Sequence, residues 1–270
     1  MSIKLGFIGA GNMASAIIGG AYASGKFLGE NIFVSNKSKE KLEKLATEYK
    51  ICPSDNVSVA EVADVIFLCV KPNTYDEVIA EISEVVTADK IVVAIAAGKT
   101  LEYLHGAFGG VPKIVRAMPN TPSLVGKGMT AVCPAKNVPK EDANLVLDIF
   151  SSIGKAEFLP EALFDAFTGV AGSSPAYIFM FIEAMADAGV AHGLPRDLAM
   201  RFSAQAVLGA AQMVISTGTH PSALKDAVCS PGGATISAVA KLEQEGLRNA
   251  VIQGVTACVE KSIKMSQDRT

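Results

Sequence analysis

Two stretches hold residue types whose spacing could do chemistry. The first is Leu5-Gly6-Phe7-Ile8 running into Gly9-Ala10-Gly11-Asn12-Met13-Ala14. A short apolar run, a G-x-G-x-x-A turn and a small-residue helical segment together let a pyrophosphate reach the backbone. Gly9 turns the chain, Gly11 leaves room beside it, and Ala14 lets helix and strand pack closely. The helix N-terminus then offers N–H groups and a positive dipole end to the phosphates. The motif alone is weak, but a place between strand and helix is the context it requires. The second stretch is Cys229-Ser230-Pro231-Gly232-Gly233-Ala234-Thr235, joining two helical segments. Free N–H groups at a Gly-rich helix start form an anion nest, and Ser230 and Thr235 add hydroxyls. Local chemistry leaves an ordinary Pro-Gly turn, with Thr235 as a helix N-cap, equally open.

Smaller signals fall between these two. The loop Ser35-Asn36-Lys37-Ser38-Lys39 lacks the acidic residue that, about 20 residues past the glycines, usually holds a ribose 2′-OH. Its small polar groups and Lys37 suit a 2′-phosphate instead, favouring NADPH, with NADH as the alternative. A pair of merely solvated lysines is the plain reading. Val70-Lys71-Pro72 sets a cation just past an apolar run, Ala96-Ala97-Gly98 offers side chains too small to obstruct a ring, and Met118-Pro119-Asn120-Thr121-Pro122 is a stiff loop. Each alone is as well explained by turn chemistry.

These loops gain meaning from the elements that position them. Apolar runs at 5–8, 31–35, 65–70, 91–95 and 113–118 read as strands, with late strands at 129–133 and 157–159. Helical segments at 14–22, 39–49, 72–84, 101–108 and 139–152 alternate with them. Such alternation predicts a parallel sheet covered on both faces, with ligands at the carboxyl ends of its strands. The loops singled out all lie at that predicted edge. From residue 161 the pattern is helical only: 164–170, 175–192, 196–216, 221–228, 235–244 and 247–266. Tyr177-Ile178-Phe179-Met180-Phe181-Ile182 is apolar on every face, so that helix should be buried. So short a helical region cannot bury its own faces, and a second copy of the chain is expected to cover them. The expected architecture is an α/β Rossmann-type domain over residues 1–160, binding NAD(P), followed by an all-α dimerisation and substrate-binding domain over 161–270.

Composition narrows the class. Of the 270 residues, half are hydrophobic and 19% are charged, with a formal net charge of −3. That balance speaks against a nucleic-acid partner and against disorder. No apolar run reaches spanning length without polar interruption, and the first strand follows Met1 almost at once, so neither a membrane partner nor a targeting segment is expected. Cys52, Cys69, Cys133, Cys229 and Cys258 are scattered without a C-x-x-C pair, which suits reduced cytoplasmic thiols and no metal site. His105, His192 and His220 are isolated and read as surface or capping residues.

Taken together, GFIGAGNMA, Val70-Lys71-Pro72, Ala96-Ala97-Gly98, Met118 to Pro122, Ser173-Ser174-Pro175-Ala176-Tyr177 and the run Val228 to Thr235 resemble pyrroline-5-carboxylate reductase, in order and spacing, over the whole chain. The resemblance implies reduction of the cyclic imine 1-pyrroline-5-carboxylate to L-proline with NAD(P)H. It implies an obligate homodimer, alone or in a larger ring of dimers. Carried over residue by residue, it assigns cofactor binding to Gly9, Ala10, Gly11, Asn12, Met13, Asn36, Lys37, Asn56, Cys69, Val70, Lys71, Pro72, Ala96, Ala97 and Gly98. Substrate binding falls to Glu161, Gly233, Ala234 and Thr235, with Thr235 and Ser230 as the catalytic groups. Ser174 and Ala227 depart from the family's frequent Gly and Asn, the second leaving substrate-side hydrogen bonding thinner. Two other readings compete. A β-hydroxyacid dehydrogenase would want a Lys on the helix after Gly172-Ser173-Ser174-Pro175, where there is none. A nucleotide-sensing protein without turnover would have no use for the nest or for Thr235.

Overall fold

The computed structural model describes residues 2–267. Its first compact unit runs up to Ser173 and includes the segment from Cys258 onward; the second is Ser174–Ala257.

The first unit is built on an eight-stranded sheet: β1 (Leu5–Ile8), β2 (Ile32–Ser35), β3 (Cys52–Pro53), β4 (Val65–Leu68), β5 (Ile91–Ala94), β6 (Lys113–Met118), β7 (Gly128–Pro134) and β8 (Gly154–Phe158). Their spatial order is β3-β2-β1-β4-β5-β6-β7-β8. Helices α1 (Asn12–Ala23), α2 (Lys39–Tyr49), α3 (Asn56–Val62), α4 (Tyr75–Ile82), α5 (Leu101–Ala107), α6 (Lys140–Ser151) and α7 (Phe164–Phe167) accompany it. Alternation along each strand divides the core. Leu5, Phe7, Phe67 and Val93 face Ile17, Ile18, Val146 and Phe150 of α1 and α6. Ile8, Ile66, Leu68 and Val92 face Val59, Ile79, Ile82 and Leu104 of α3, α4 and α5. Both faces of the central strands β1, β4 and β5 are therefore dry, as a parallel sheet requires.

Three features depart from the sequence expectation. The sheet is parallel except between β6 and β7, which pair antiparallel. Only residues 119–127 join those strands, short of the roughly dozen that a parallel crossover needs. The edge strand β3 and the helix α3 were not foreseen. Finally, α7 passes through a π-helical turn at Thr168–Gly172, closed by the Ser173 N–H donating to Thr168 C=O at 2.8 Å, where a helix to Val170 and a loop from Ala171 were expected.

The second unit holds α8 (Ser174–Ala191), α9 (Arg196–Thr217), α10 (Pro221–Ala227), α11 (Ala234–Gln244) and the N-terminal half of α12 (Leu247–Gln267). Within Ser174–Ala257 only Ala186, Ala199 and Ser203 are buried. Phe179 is 60% exposed, Met180 69% and Ile215 73%. These helices thus have almost no core of their own, and their apolar faces stand open in a single chain. Among the described residues α9 alone is long and apolar enough to cross a membrane by length and composition; it carries Arg201, Gln205 and Gln212.

Candidate active site

The strand order reverses at β1, with β2 on one side and β4 on the other, which is where open α/β sheets leave a crevice. A cleft of about 520 Å³ lies there. Its lining includes Gly9, Ala10, Gly11, Asn36, Lys37, Asn56, Cys69, Val70 and Lys71, most of the cofactor set proposed from sequence. Asn12 lines a smaller neighbouring cleft with Ala10. Met13 is half-buried at the start of α1, and Pro72 opens the 3₁₀ turn Pro72–Thr74.

The backbone of this cleft is tightly set. Gly9 has φ +99°, and a Cβ on it would lie 2.8 Å from the Cys69 carbonyl oxygen. Its N–H donates to Ser35 C=O at 2.9 Å, and the Cys69 N–H donates to Ile8 C=O at 2.8 Å. Gly11 caps α1 with no side chain in the way: a Cβ there would meet nothing within 4 Å. The first-turn N–H groups of α1 have no acceptor within the helix, which fits a dinucleotide pyrophosphate. Asn36 ties the loops together, accepting from the Ala10 N–H at 3.1 Å and donating to Ser38 C=O at 3.2 Å. Asn56 accepts from the Ser35 hydroxyl at 2.6 Å and donates to Glu81 at 2.7 Å.

Lys37 is almost wholly exposed at the cleft beyond β2, 3.8 Å from Glu77 in an open ion pair. Lys41, Thr74, Glu77 and Glu81 also line the cleft. The sequence reading missed them, although Lys41 lies in the first turn of α2, just past the loop that carries Lys37. Burial pushes the Cys69 thiol well above its ordinary range, so it lines the cleft as a neutral group. Ala96, Ala97 and Gly98 follow β5 outside the cleft lining; Ala96 is buried, and its N–H donates to the Tyr75 hydroxyl at 3.3 Å.

Glu161 begins a 3₁₀ turn after β8. Its Oε1 accepts from the Leu101 N–H at 2.7 Å and from Nη1 of the buried Arg116 at 2.8 Å. Asn120, in the proline-bracketed loop, is also buried, accepting from the Met129 N–H and donating to Ala171 C=O, both at 2.9 Å. That loop braces β7 against the π-turn.

In the second unit, Ser230-Pro231-Gly232-Gly233 is a turn closed by the Gly233 N–H donating to Ser230 C=O at 3.0 Å. Gly232 at φ +69° after Pro231 suits a type II turn. Gly233 is the N-cap of α11, with no side-chain capping bond. The N–H groups of Ala234 and Thr235 belong to the first turn and have no acceptor within the helix. A Cβ on Gly233 would lie 2.4 Å from the Ser230 hydroxyl. Thr235 is exposed, and its hydroxyl makes no hydrogen bond among the described residues. Thr235 is therefore not the cap of this helix. His220 is one: its Nδ1 accepts from the Ser222 N–H at 3.2 Å at the start of α10. No cluster of metal-ligating side chains occurs among the described residues.

Known proteins match the chain over its full length. A reductase from Escherichia coli K12, pyrroline-5-carboxylate reductase, is 52% identical over 99% of this chain and all of its own. The chain belongs to the pyrroline-5-carboxylate reductase family. Residues 161–265 match the model for pyrroline-5-carboxylate reductase dimerisation, so self-association is a property of this region. Residues 4–98 match the model described as NADP oxidoreductase, coenzyme F420-dependent. Among solved structures, the family member from Coxiella burnetii is 34% identical with TM-score 0.93, over 98% of this chain and 99% of the other. The Plasmodium falciparum pyrroline carboxylate reductase, solved with NADP bound, is 35% identical with TM-score 0.88 over 98% of each chain.

Proposed function

We propose that this protein is a pyrroline-5-carboxylate reductase, converting 1-pyrroline-5-carboxylate to L-proline with NADPH in the last step of proline biosynthesis. Its unbroken relationship to the Escherichia coli enzyme carries this reading. The β1–β4 crevice, with open N–H groups at Gly11 and no carboxylate after β2 where a ribose 2′-OH would be held, supports it. When bound, the nicotinamide supplies the hydride. The protein's part is to align two bound molecules, from which much of the rate can come. Gly9 to Met13 hold the pyrophosphate, Asn36 and Lys37 the 2′-phosphate, and Asn56 and Cys69 to Pro72 the rest of the cofactor, with Ala96 to Gly98 behind its reactive ring. The Ala234 and Thr235 N–H groups take the substrate carboxylate, with Gly233 and the Ser230 hydroxyl shaping that turn. The Thr235 hydroxyl would bond the ring nitrogen, and Glu161 is a further residue assigned to substrate binding.

Residues 1–160 make the cofactor domain and residues 161–270 the substrate and dimerisation domain. The working form is an obligate homodimer in the cytoplasm, alone or in a larger ring of dimers. The apolar surfaces of α8 and α9 are its interface rather than membrane-facing. A dehydrogenase of the β-hydroxyacid type is disfavoured because α8 carries no Lys. The decisive assay follows NADPH absorbance with the cyclic imine and identifies L-proline as product. Cofactor consumption without proline, or no consumption, would overturn the reading.

A further inference from the structure

Arg116 stands on β6 with its side chain 5% exposed. A guanidinium in such a place is costly unless it is used. Its partner, Glu161 Oε1, is shared with the Leu101 N–H at the first residue of α5. One carboxylate oxygen thereby joins β6, the start of α5 and the turn after β8. The guanidinium also lies over the Phe164 ring, 4.6 Å from its centre. Its Nε is buried without a partner, so the arrangement is not optimised for stability. Replacing a buried ion pair with apolar side chains is often neutral or stabilising, which makes stability a poor reason for this one.

Its location suggests another reason. Only residues 95–100 separate the end of β5 from the Leu101 N–H that Glu161 holds. Near the far end the Ala96 N–H is held by Tyr75. The segment Ala96-Ala97-Gly98 is therefore pinned on both sides, with Gly98 turning at φ +75°.

We propose that Arg116 is a positioning residue for imine reduction, acting through Glu161 to hold the Ala96-Ala97-Gly98 loop in place behind the nicotinamide. The proposal rests on the reading of that loop as the nicotinamide wall. Arg116→Lys keeps the charge and loses the planar fork; Glu161→Gln keeps an oxygen for Leu101 and loses the charge. Misplacing a wall of the site lowers kcat on the order of 10- to 100-fold. NADPH affinity stays close to that of the unmodified enzyme. The isotope effect with NADPH deuterated at the transferred position rises, because hydride transfer becomes slower than release. The double variant loses little more than the worse single one, since both act through one contact.

Normal kcat and isotope effect in both variants, with only lower melting temperatures, would overturn the proposal, as would losses that simply multiply in the double variant. If Arg116→Lys does not fold, the isotope effect of Glu161→Gln decides, since loss of a substrate contact alone raises KM and leaves kcat. Ala97→Leu separates the underlying reading: if it spares both turnover and NADPH binding, the loop is not the wall. Impaired turnover in Ala97→Leu beside intact turnover in the other two overturns Arg116 alone.

Discussion

The hydroxyl of Tyr75 donates to the carbonyl of Leu68 at 2.8 Å while accepting from the N–H of Ala96 at 3.3 Å. Tyr75 is fully buried, and burial holds its hydroxyl far above the ordinary phenol range, so both bonds persist across the working pH range. One side chain of α4 thus fixes the spacing between the carboxyl ends of β4 and β5. Tyr75→Phe keeps the ring and deletes the staple. The expected cost is about 1–3 kcal/mol, because the Ala96 N–H is left buried without its partner. Urea unfolding should show a lower midpoint with unchanged slope.

Cofactor choice is proposed to turn on the part of the cleft that carries Lys37. Lys37 is free to swing, since its ion pair with Glu77 is long and solvated and such pairs contribute little. NADPH should bind more tightly than NADH, and Lys37→Glu should narrow or reverse that order. Dissociation constants for both cofactors, measured by fluorescence titration, test this. Equal constants in the unmodified protein would remove the assigned role.

How much of this was readable from residue order varies with element length. The motif from Leu5 to Ala14 announced β1, the turn and α1 because each residue type there has one geometric use. The long strands and helices were legible from their apolar periods. Cys52–Pro53 was not, because a two-residue strand has no period to show. The helix α3 spans only two turns, although Asp55, whose carboxylate accepts the Ser58 N–H at 2.9 Å, was a readable start signal. The antiparallel turn into β7 follows from the short connection at residues 119–127, a constraint available in the sequence but not applied. Arg116 could not be foreseen as part of a site. It sits in an apolar strand, and its partner Glu161 lies 45 residues further along the chain.

Self-association carries its own test. With Phe179, Met180, Phe202 and Ile215 all more than half exposed, the helical unit needs a partner to become dry. Sedimentation at low micromolar concentration should show no monomer, consistent with an interface above roughly 2,000 Å² for an obligate pair. Phe179→Asp places a charge on that surface and should yield unfolded or aggregated chain rather than a stable monomer. A folded, active monomer would refute the obligate dimer.

Thr235 offers the sharpest test of the chemistry. Helix capping was the competing use for this residue, and Gly233 occupies the N-cap instead. The Thr235 hydroxyl is exposed in the single chain and bonded to nothing among the described residues, so its removal costs the helix little. A hydroxyl is too weak an acid to protonate an imine by itself. The task proposed for it is to bond the protonated ring nitrogen and keep the adjacent carbon aligned for reduction. Thr235→Val preserves shape and deletes that bond. If the bond strengthens in the transition state, kcat should fall by roughly 100-fold, the low end for a positioned proton-handling group. NADPH affinity should hardly move, and Thr235→Ser should retain most activity, since it keeps the oxygen and loses one methyl. Melting temperature measured beside steady-state kinetics separates chemistry from folding. A Val variant that turns over normally would end the catalytic role, whatever its melting temperature.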